Sequence, residues 1–318
     1  MTCRVVDRTG AAETELDRAD LERRLEGGFF WLDLHRPTEA QLDLLRQTLG
    51  LHPLAIEDSL HFGQRPKWEE YDDVVFLVLY GHAPDEDGLV EVHCHLSERF
   101  LVSLRRDEAP GLDELHRHYE VGRDLRCDSA SMLYHVSDSL VDSFFPALGR
   151  FDERLELIED GLLSEPKQAH LQDVFTMRRR LAHLRKVILP QRDLIGRLAA
   201  GAVELPGMTR EDERYFRDVY DHLIRLSEMM ETTRETMTAA IDVYLSASSN
   251  RMNVVMKQLA VIATVFLPLS FVAGFFGQNF GWLVETIGGL TAFLVLGVGS
   301  QLLTLLVLLV FFKRRDWF

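Results

Sequence analysis

The chain has 318 residues, of which 27% are charged, and a formal net charge of −15 at pH 7. That acidity argues against nucleic acid as a partner, because nucleic-acid binders are usually basic, and it suits a surface that meets cations. Mean hydropathy is close to neutral at −0.05, but the charge is unevenly placed: residues 258–284 and 286–312 contain no Asp, Glu, Lys or Arg, and Glu285 alone separates them.

In chain order, residues 1–128 predict a mixed α/β domain. Phe29–Leu34 is a short apolar strand closed by Pro37, and Thr38 is placed to cap the helix that follows. Val74–Tyr80 is rich in β-formers, 85–88 is a turn, Leu89–Leu96 alternates apolar and polar residues, and Phe100–Leu104 is a further strand. His93 and His95 flank Cys94 and share a face, while His116 and His118 diverge on a helix. Both pairs are expected to face solvent, since a zinc site needs three or four converging ligands. Cys3, Cys94 and Cys127 form no C-x-x-C pair and read as reduced thiols in a cytosolic setting.

Residues 129–257 take on helical periodicity. Pro166 and Leu205-Pro-Gly207 mark turns, and 211–250 forms one long pattern that no Gly or Pro separates from the apolar stretch after it. A helix over 211–276 would be roughly 100 Å long, with Pro268 tolerated as a membrane kink. The basic run Arg178–Arg180 with Arg185 and Lys186 could touch lipid headgroups, but is expected to be a solvated helix face that pairs with nearby acids.

Residues 258–276 and 287–312 are each long enough to cross a hydrocarbon core of ~30 Å, with 277–286 as a short outer loop. Lys313, Arg314 and Arg315 open the tail at 313–318 and favour the cytoplasmic side. No apolar leader precedes the N-terminal domain, so both ends are expected in the cytoplasm of a multi-pass inner-membrane protein. The bilayer is then one partner. No nucleophile elbow, phosphate loop or metal-hydrolase spacing points to an enzyme.

Two spans cannot enclose a pore, so transport would need several copies around an axis. The first span carries a suitable seam. Steps of three and four from Asn253 reach Met256, Ala260, Ala263, Leu267, Ser270, Gly274 and Gly277, all small, polar or soft. Small seams also serve tight helix packing. Gly277-Gln278-Asn279 follows directly. Repeated around an axis, its amide and carbonyl oxygens could hold the water shell of an ion such as Mg²⁺, which dehydrates reluctantly. The same tripeptide would equally serve as a helix C-cap and turn.

Gly277-Gln-Asn279-Phe280 between two C-terminal spans, ahead of Lys313-Arg-Arg-Asp-Trp-Phe318, resembles the Gly-Met-Asn signature of the CorA family of divalent-cation channels. Trp31–Leu34 with Pro37, His52–Asp58, Gln64–Lys67, Glu70–Asp73, Tyr215–His222, Asp242–Ser246 and Asn250–Pro268 resemble further family motifs, so the likeness covers essentially the whole chain. It implies a funnel-shaped homopentamer in which an α/β cytoplasmic domain is joined by a long helical stalk to a pore-lining first span. It also implies passive, potential-driven uptake of Mg²⁺, with Co²⁺ and Ni²⁺, and gating by cytoplasmic metal. Divalent cations are then substrate and regulator, with no cofactor.

Carried onto this chain, the pore ladder is Asp242, Asn253, Met256, Leu259, Leu267, Ser270, Gly277 and Asn279. Met256, Leu259 and Leu267 form a hydrophobic gate, and Gly277, Gln278 and Asn279 form the entrance. Asp218 matches an intersubunit regulatory metal ligand, with Asp85 or Asp87 as its partner. Gln278 replaces the usual Met and leaves the ion choice open. Zinc transport of the ZntB type, proton-coupled or not, is the alternative, and a non-conducting membrane-tethered metal sensor is a reading from another class.

Overall fold

The computed structural model describes residues 2–7, 10–13, 15–84, 88–120, 126–164, 166–278 and 280–315. It divides into two compact units, Met1–Ile241 and Asp242–Phe318.

The first unit is built on a seven-stranded sheet ordered β2-β1-β3-β7-β6-β5-β4. Its strands are β1 (Thr2–Asp7), β2 (Gly10–Glu13), β3 (Phe30–His35), β4 (Lys67–Tyr71), β5 (Val74–His82), β6 (Leu89–Leu96) and β7 (Phe100–Arg105). All neighbours are antiparallel except β3 and β7, whose parallel register sets Asp33 beside Ser103. One face is covered by α1 (Arg18–Gly27), α2 (Glu39–Leu49) and α3 (Pro53–Leu60), through Leu21, Leu42, Leu45 and Ile56 packed on Leu32, Leu34, Val102 and Leu104. Thr38 caps α2 as its position predicts. Its side chain accepts from Gln41 N and the Gln41 side chain returns to Thr38 N, a reciprocal pair that satisfies two otherwise orphaned donors.

The other face meets α4 (Pro110–Glu120) and α5 (Ser129–Asp142). Two glycines permit the close approach. A Cβ on Gly81 would lie 2.8 Å from Leu140 Cδ2, and one on Gly111 would lie 2.3 Å from the Ser139 carbonyl oxygen. With both faces covered, every residue of β5 is buried, as expected of a strand between two helical layers.

The expectation that His93, His95 and His116 face solvent is therefore wrong: each is fully buried, and of the four only His118 is partly exposed. Alternation signals water only where one sheet face is open. His95 meets Ser59 Oγ at 2.9 Å and is pushed down to about 3 by burial, so it is neutral. His93 stacks on Phe62 at 4.3 Å and bonds Glu91 at 2.7 Å.

Helices α6 (Phe144–Ser164) and α7 (Gln168–Ala199) pack on each other, and α7 reaches β4 and β5. The buried stripe of α7 is apolar except at Gln191. That amide lies beyond the end of β4 and continues its pairing. Its Oε1 accepts from Tyr80 N at 2.6 Å and its Nε2 donates to Tyr80 O at 3.0 Å. Gln191→Leu strands both backbone groups, each costing about 1–3 kcal/mol when buried and unpaired. A thermal or denaturant melt is expected to lose about 2–4 kcal/mol of stability, and a loss under 1 kcal/mol would contradict the pairing.

Helix α8 runs unbroken from Glu213 to Phe276. In the first unit its stripe of Phe216, Val219, Leu223, Leu226, Met230, Thr233, Met237 and Ala240 is buried, in steps of three and four. From Asp242 onward the second unit has no buried position on α8. After α8 come α9 (Gly281–Thr286) and α10 (Leu290–Ala292), a π-helical stretch Phe293–Gly299, and α11 (Ser300–Arg314). Leu290–Arg314 and the apolar end of α8 are long and apolar enough to cross a membrane, and their apolar windows are wholly unburied. Helix α9 occupies part of the segment expected as outer loop.

Candidate functional site

The continuous helix through Asp242–Phe276 turns sequence spacing into geometry. Asp242, Asn253, Met256, Leu259, Ala260, Ala263, Leu267, Ser270 and Gly274 share one face, and all are exposed. Met256 is 59%, Leu259 61% and Leu267 75% exposed. Within 258–276 the partly covered positions are Val261, Val265, Pro268, Leu269, Val272 and Phe276, about half a helical turn away from the seam. This span thus has a half-covered apolar side and, opposite it, an open side on which small and polar residues alternate with Met256, Leu259 and Leu267.

The span closes tightly. Gly277 N donates to Ala273 O at 3.0 Å, and Gln278 N to Phe275 O at 3.3 Å. A Cβ on Gly277 would sit 3.2 Å from the Ala273 oxygen, closer than a side chain comfortably allows. Asn279 lies outside the described residues, as do Asp85 and Asp87.

Asp218 lies on the part of α8 within the first unit, among groups that its motif alone does not reveal. Tyr134 Oη donates to Asp218 Oδ2 at 3.3 Å. One turn along α8, His222 Nδ1 is 2.9 Å from Asp142 Oδ1 and 3.4 Å from Asp138 Oδ1. Tyr134, Asp138 and Asp142 share a face of α5 at four-residue spacing, opposite Asp218 and His222 at the same spacing on α8. Ligand atoms of Asp138, Asp142 and His222 lie within 4.8 Å of one another, a separation one metal ion could span. The readable signal was two i,i+4 pairs, Asp138/Asp142 and Asp218/His222, but only the fold shows that they face each other.

The cluster is electrostatically strained. Asp138 is pushed up to about 6, first by burial and next by the Asp142 charge, with His222 opposing and Asp218 adding. A folded carboxyl with a raised pKa binds its proton more tightly than the unfolded chain does. Its stabilising contribution is complete below about pH 4 and is lost as pH rises through about 6. In metal-free buffer, Asp138→Asn is therefore expected to gain stability relative to wild type between pH 4 and 7. The gain should be on the order of 2 kcal/mol, a two-unit shift discounted for partial exposure. A pH-independent difference in melting would contradict the shift. A bound divalent cation would relieve the same repulsion.

Comparison with known proteins adds four matches. The family model described as CorA-like Mg²⁺ transporter protein matches residues 26–314. The chain is 34% identical over 291 residues to the putative metal ion transporter YfjQ of Bacillus subtilis, covering 91% of this chain and 90% of that one. It is also 34% identical over 276 residues to the cobalt/magnesium transport protein CorA of Thermotoga maritima, covering 84% and 77%. The fold matches the complete structure of the CorA magnesium transporter from Methanocaldococcus jannaschii with a TM-score of 0.86, at 21% identity and over 100% and 99% of the two chains.

Proposed function

The chain belongs to the CorA-like Mg²⁺ transporter family, and on that premise we propose that it is a divalent-cation channel assembled as a homopentamer about the open face of its first span, passing Mg²⁺ inward. The observation that carries this reading is the seam from Asp242 to Gly274, uncovered along its length and opposite the span's half-covered side. Five such faces around an axis would stack Asp242 and Asn253 rings below Met256, Leu259 and Leu267. The apolar rings would hold the pore shut by dewetting. Ser270 and the Gly277–Asn279 oxygens would receive the hydrated ion. The drive is sufficient, since a doubly charged ion gains about 4.6 kcal/mol per 100 mV. The chain would lie in the inner membrane with both termini in the cytoplasm, as the basic residues after the second span favour.

The test is flux of the purified full chain in liposomes under an imposed potential, with Mg²⁺, Co²⁺, Ni²⁺ and Zn²⁺ supplied singly and in competition. Saturable Mg²⁺ flux supports the reading. A chain that moves none of the four ions while still binding metal would instead be a membrane-tethered sensor. Gln278 and His222 motivate the zinc alternative, because imidazole suits Zn²⁺ better than Mg²⁺. Zn²⁺ flux that outcompetes Mg²⁺, coupled to a proton gradient or not, would replace the Mg²⁺ assignment.

Regulation is assigned to Asp218 with Asp138, Asp142 and His222. Cytoplasmic metal at these carboxylates would stabilise the closed form, and its loss would release their repulsion. Asp218→Ala is expected to raise the Mg²⁺ concentration needed to protect the chain from protease about tenfold. Superimposable protection curves would remove Asp218 from the site.

A further inference from the structure

A second charged cavity lies away from the metal cluster. It is an open cleft of about 900 Å³ where α7 passes the loop before β4 and the ends of β5 and β6. Four cationic side chains line it: Arg65, Arg106, Arg185 and Lys186. In a chain of net charge −15, such a concentration needs an explanation. Solvated helix-face charges that pair with nearby acids, as the sequence suggests for Arg185 and Lys186, would explain it. The structure does not supply those pairs. Among the described residues none of the four forms an ion pair; Arg185 senses Glu231 only at longer range.

The two carboxylates in the lining do not restore balance. Glu91 is buried and already engaged: it accepts from the backbone N–H groups of Gly63 and Gln64 and from His93. That leaves Asp107 against four cations. Arg106 is also held in place, with Nη2 donating to Leu60 O at 2.7 Å and its guanidinium 4.4 Å from the Phe62 ring centroid. Leu89, Val187, Leu189 and Pro190 add an apolar stretch of wall, beside the polar Gln64, Tyr80 and His183. Forked guanidinium groups match phosphate oxygens, the volume suits a small organic molecule, and the apolar wall gives a non-phosphate part somewhere to lie.

We propose that this cleft binds a soluble organic polyphosphate of the nucleoside di- or triphosphate class, its phosphates on Arg65, Arg106, Arg185 and Lys186 and its organic part against the Leu89–Val187 wall. Such anions chelate divalent cations, so an occupied cleft would tie the soluble domain to the metal carried by cellular phosphates. The proposal does not depend on the ion the chain transports.

The test is calorimetric titration of the full chain in detergent at fixed free Mg²⁺, with ATP, tripolyphosphate and adenosine as probes. ATP is expected to bind saturably at one site per chain, tripolyphosphate more weakly and adenosine not at all. Arg185→Ala/Lys186→Ala should weaken ATP at least tenfold at an unchanged melting temperature. Arg65→Glu, at an exposed position in another segment, should do the same and decides the matter if the double variant melts early. Absence of saturable ATP binding, or equal affinity in the variants, would overturn the proposal. So would tighter binding of water-soluble short-chain phosphatidylglycerol at the same residues, which would assign the cleft to lipid headgroups.

Discussion

Replacing Asn279 by Ala is expected to cut divalent-cation flux into liposomes by tenfold or more, with little change in the melting temperature of the soluble domain. In the proposed pentamer one substitution removes five amides from a single ring. If each contributes a net hydrogen bond of about 1 kcal/mol to the ion's water shell, the ring loses several kcal/mol together, where about 1.4 kcal/mol is already a factor of ten. Asn279→Gln keeps the amide but lengthens its reach, and should retain more flux than Ala. Gln278→Met restores the residue usual in the family signature. It should alter the order of Mg²⁺, Co²⁺ and Zn²⁺ rather than abolish transport. Wild-type flux in Asn279→Ala for all three ions would remove the entrance ring from the mechanism.

The largest stability effect is expected at Asp33, a residue outside the proposed pore and regulatory site. It is buried beside Ser103 in the parallel β3–β7 pair, where Ser103 Oγ donates at 2.6 Å, Arg105 at 3.1 and 3.2 Å, and His116 Nε2 lies at 3.3 Å. His116 stacks on Trp31 at 4.2 Å, and Trp31 Nε1 donates to Ser103. Burial alone would raise the Asp33 pKa, but the His116 hydrogen bond and the Arg105 charge outweigh it and hold the carboxyl well below the usual range. A depressed pKa stabilises the fold above about pH 4 and ceases to do so as strong acid protonates the folded group. Asp33→Ala leaves Arg105 buried with only Asp113 as an ion partner. Removing one member of a buried pair costs about 3–5 kcal/mol. Urea melts at pH 7 are expected to show that loss, and a deficit below 1 kcal/mol would mean that Asp113 compensates.

The spans, the strands and the seam were legible because each is a one-dimensional pattern. Charge-free length gives a span, short apolar runs of strand formers give β5 and β7, and three-four spacing gives one face of a helix as soon as that helix is continuous. Thr38 was legible for the same reason, since a cap acts within four residues. His93 and His95 were misjudged because their environment is set by α3 and the loop after it, which cover the sheet face they occupy. The companions of Asp218 were hidden in a different way. Asp138 and Asp142 stand about 80 residues earlier on α5, and nothing local says which helix they will face. The π-helical stretch at Phe293–Gly299 lies within uniformly apolar sequence, where no polar or charged position marks a change of helical pitch.

The Gln191–Tyr80 pairing has a consequence beyond the two hydrogen bonds. Where β4 stops, β5 would present a free N–H and C=O at the rim of a long hydrophobic strand, the kind of edge on which another chain can add a strand. Many proteins guard such edges with charge, proline or a bulge. Here a helix side chain mimics a peptide group and occupies the next rung, with Pro66 just ahead of β4. In the proposed assembly beside identical copies, that side chain occupies the rung of β5 that β4 leaves open, so a neighbour's strand cannot add there.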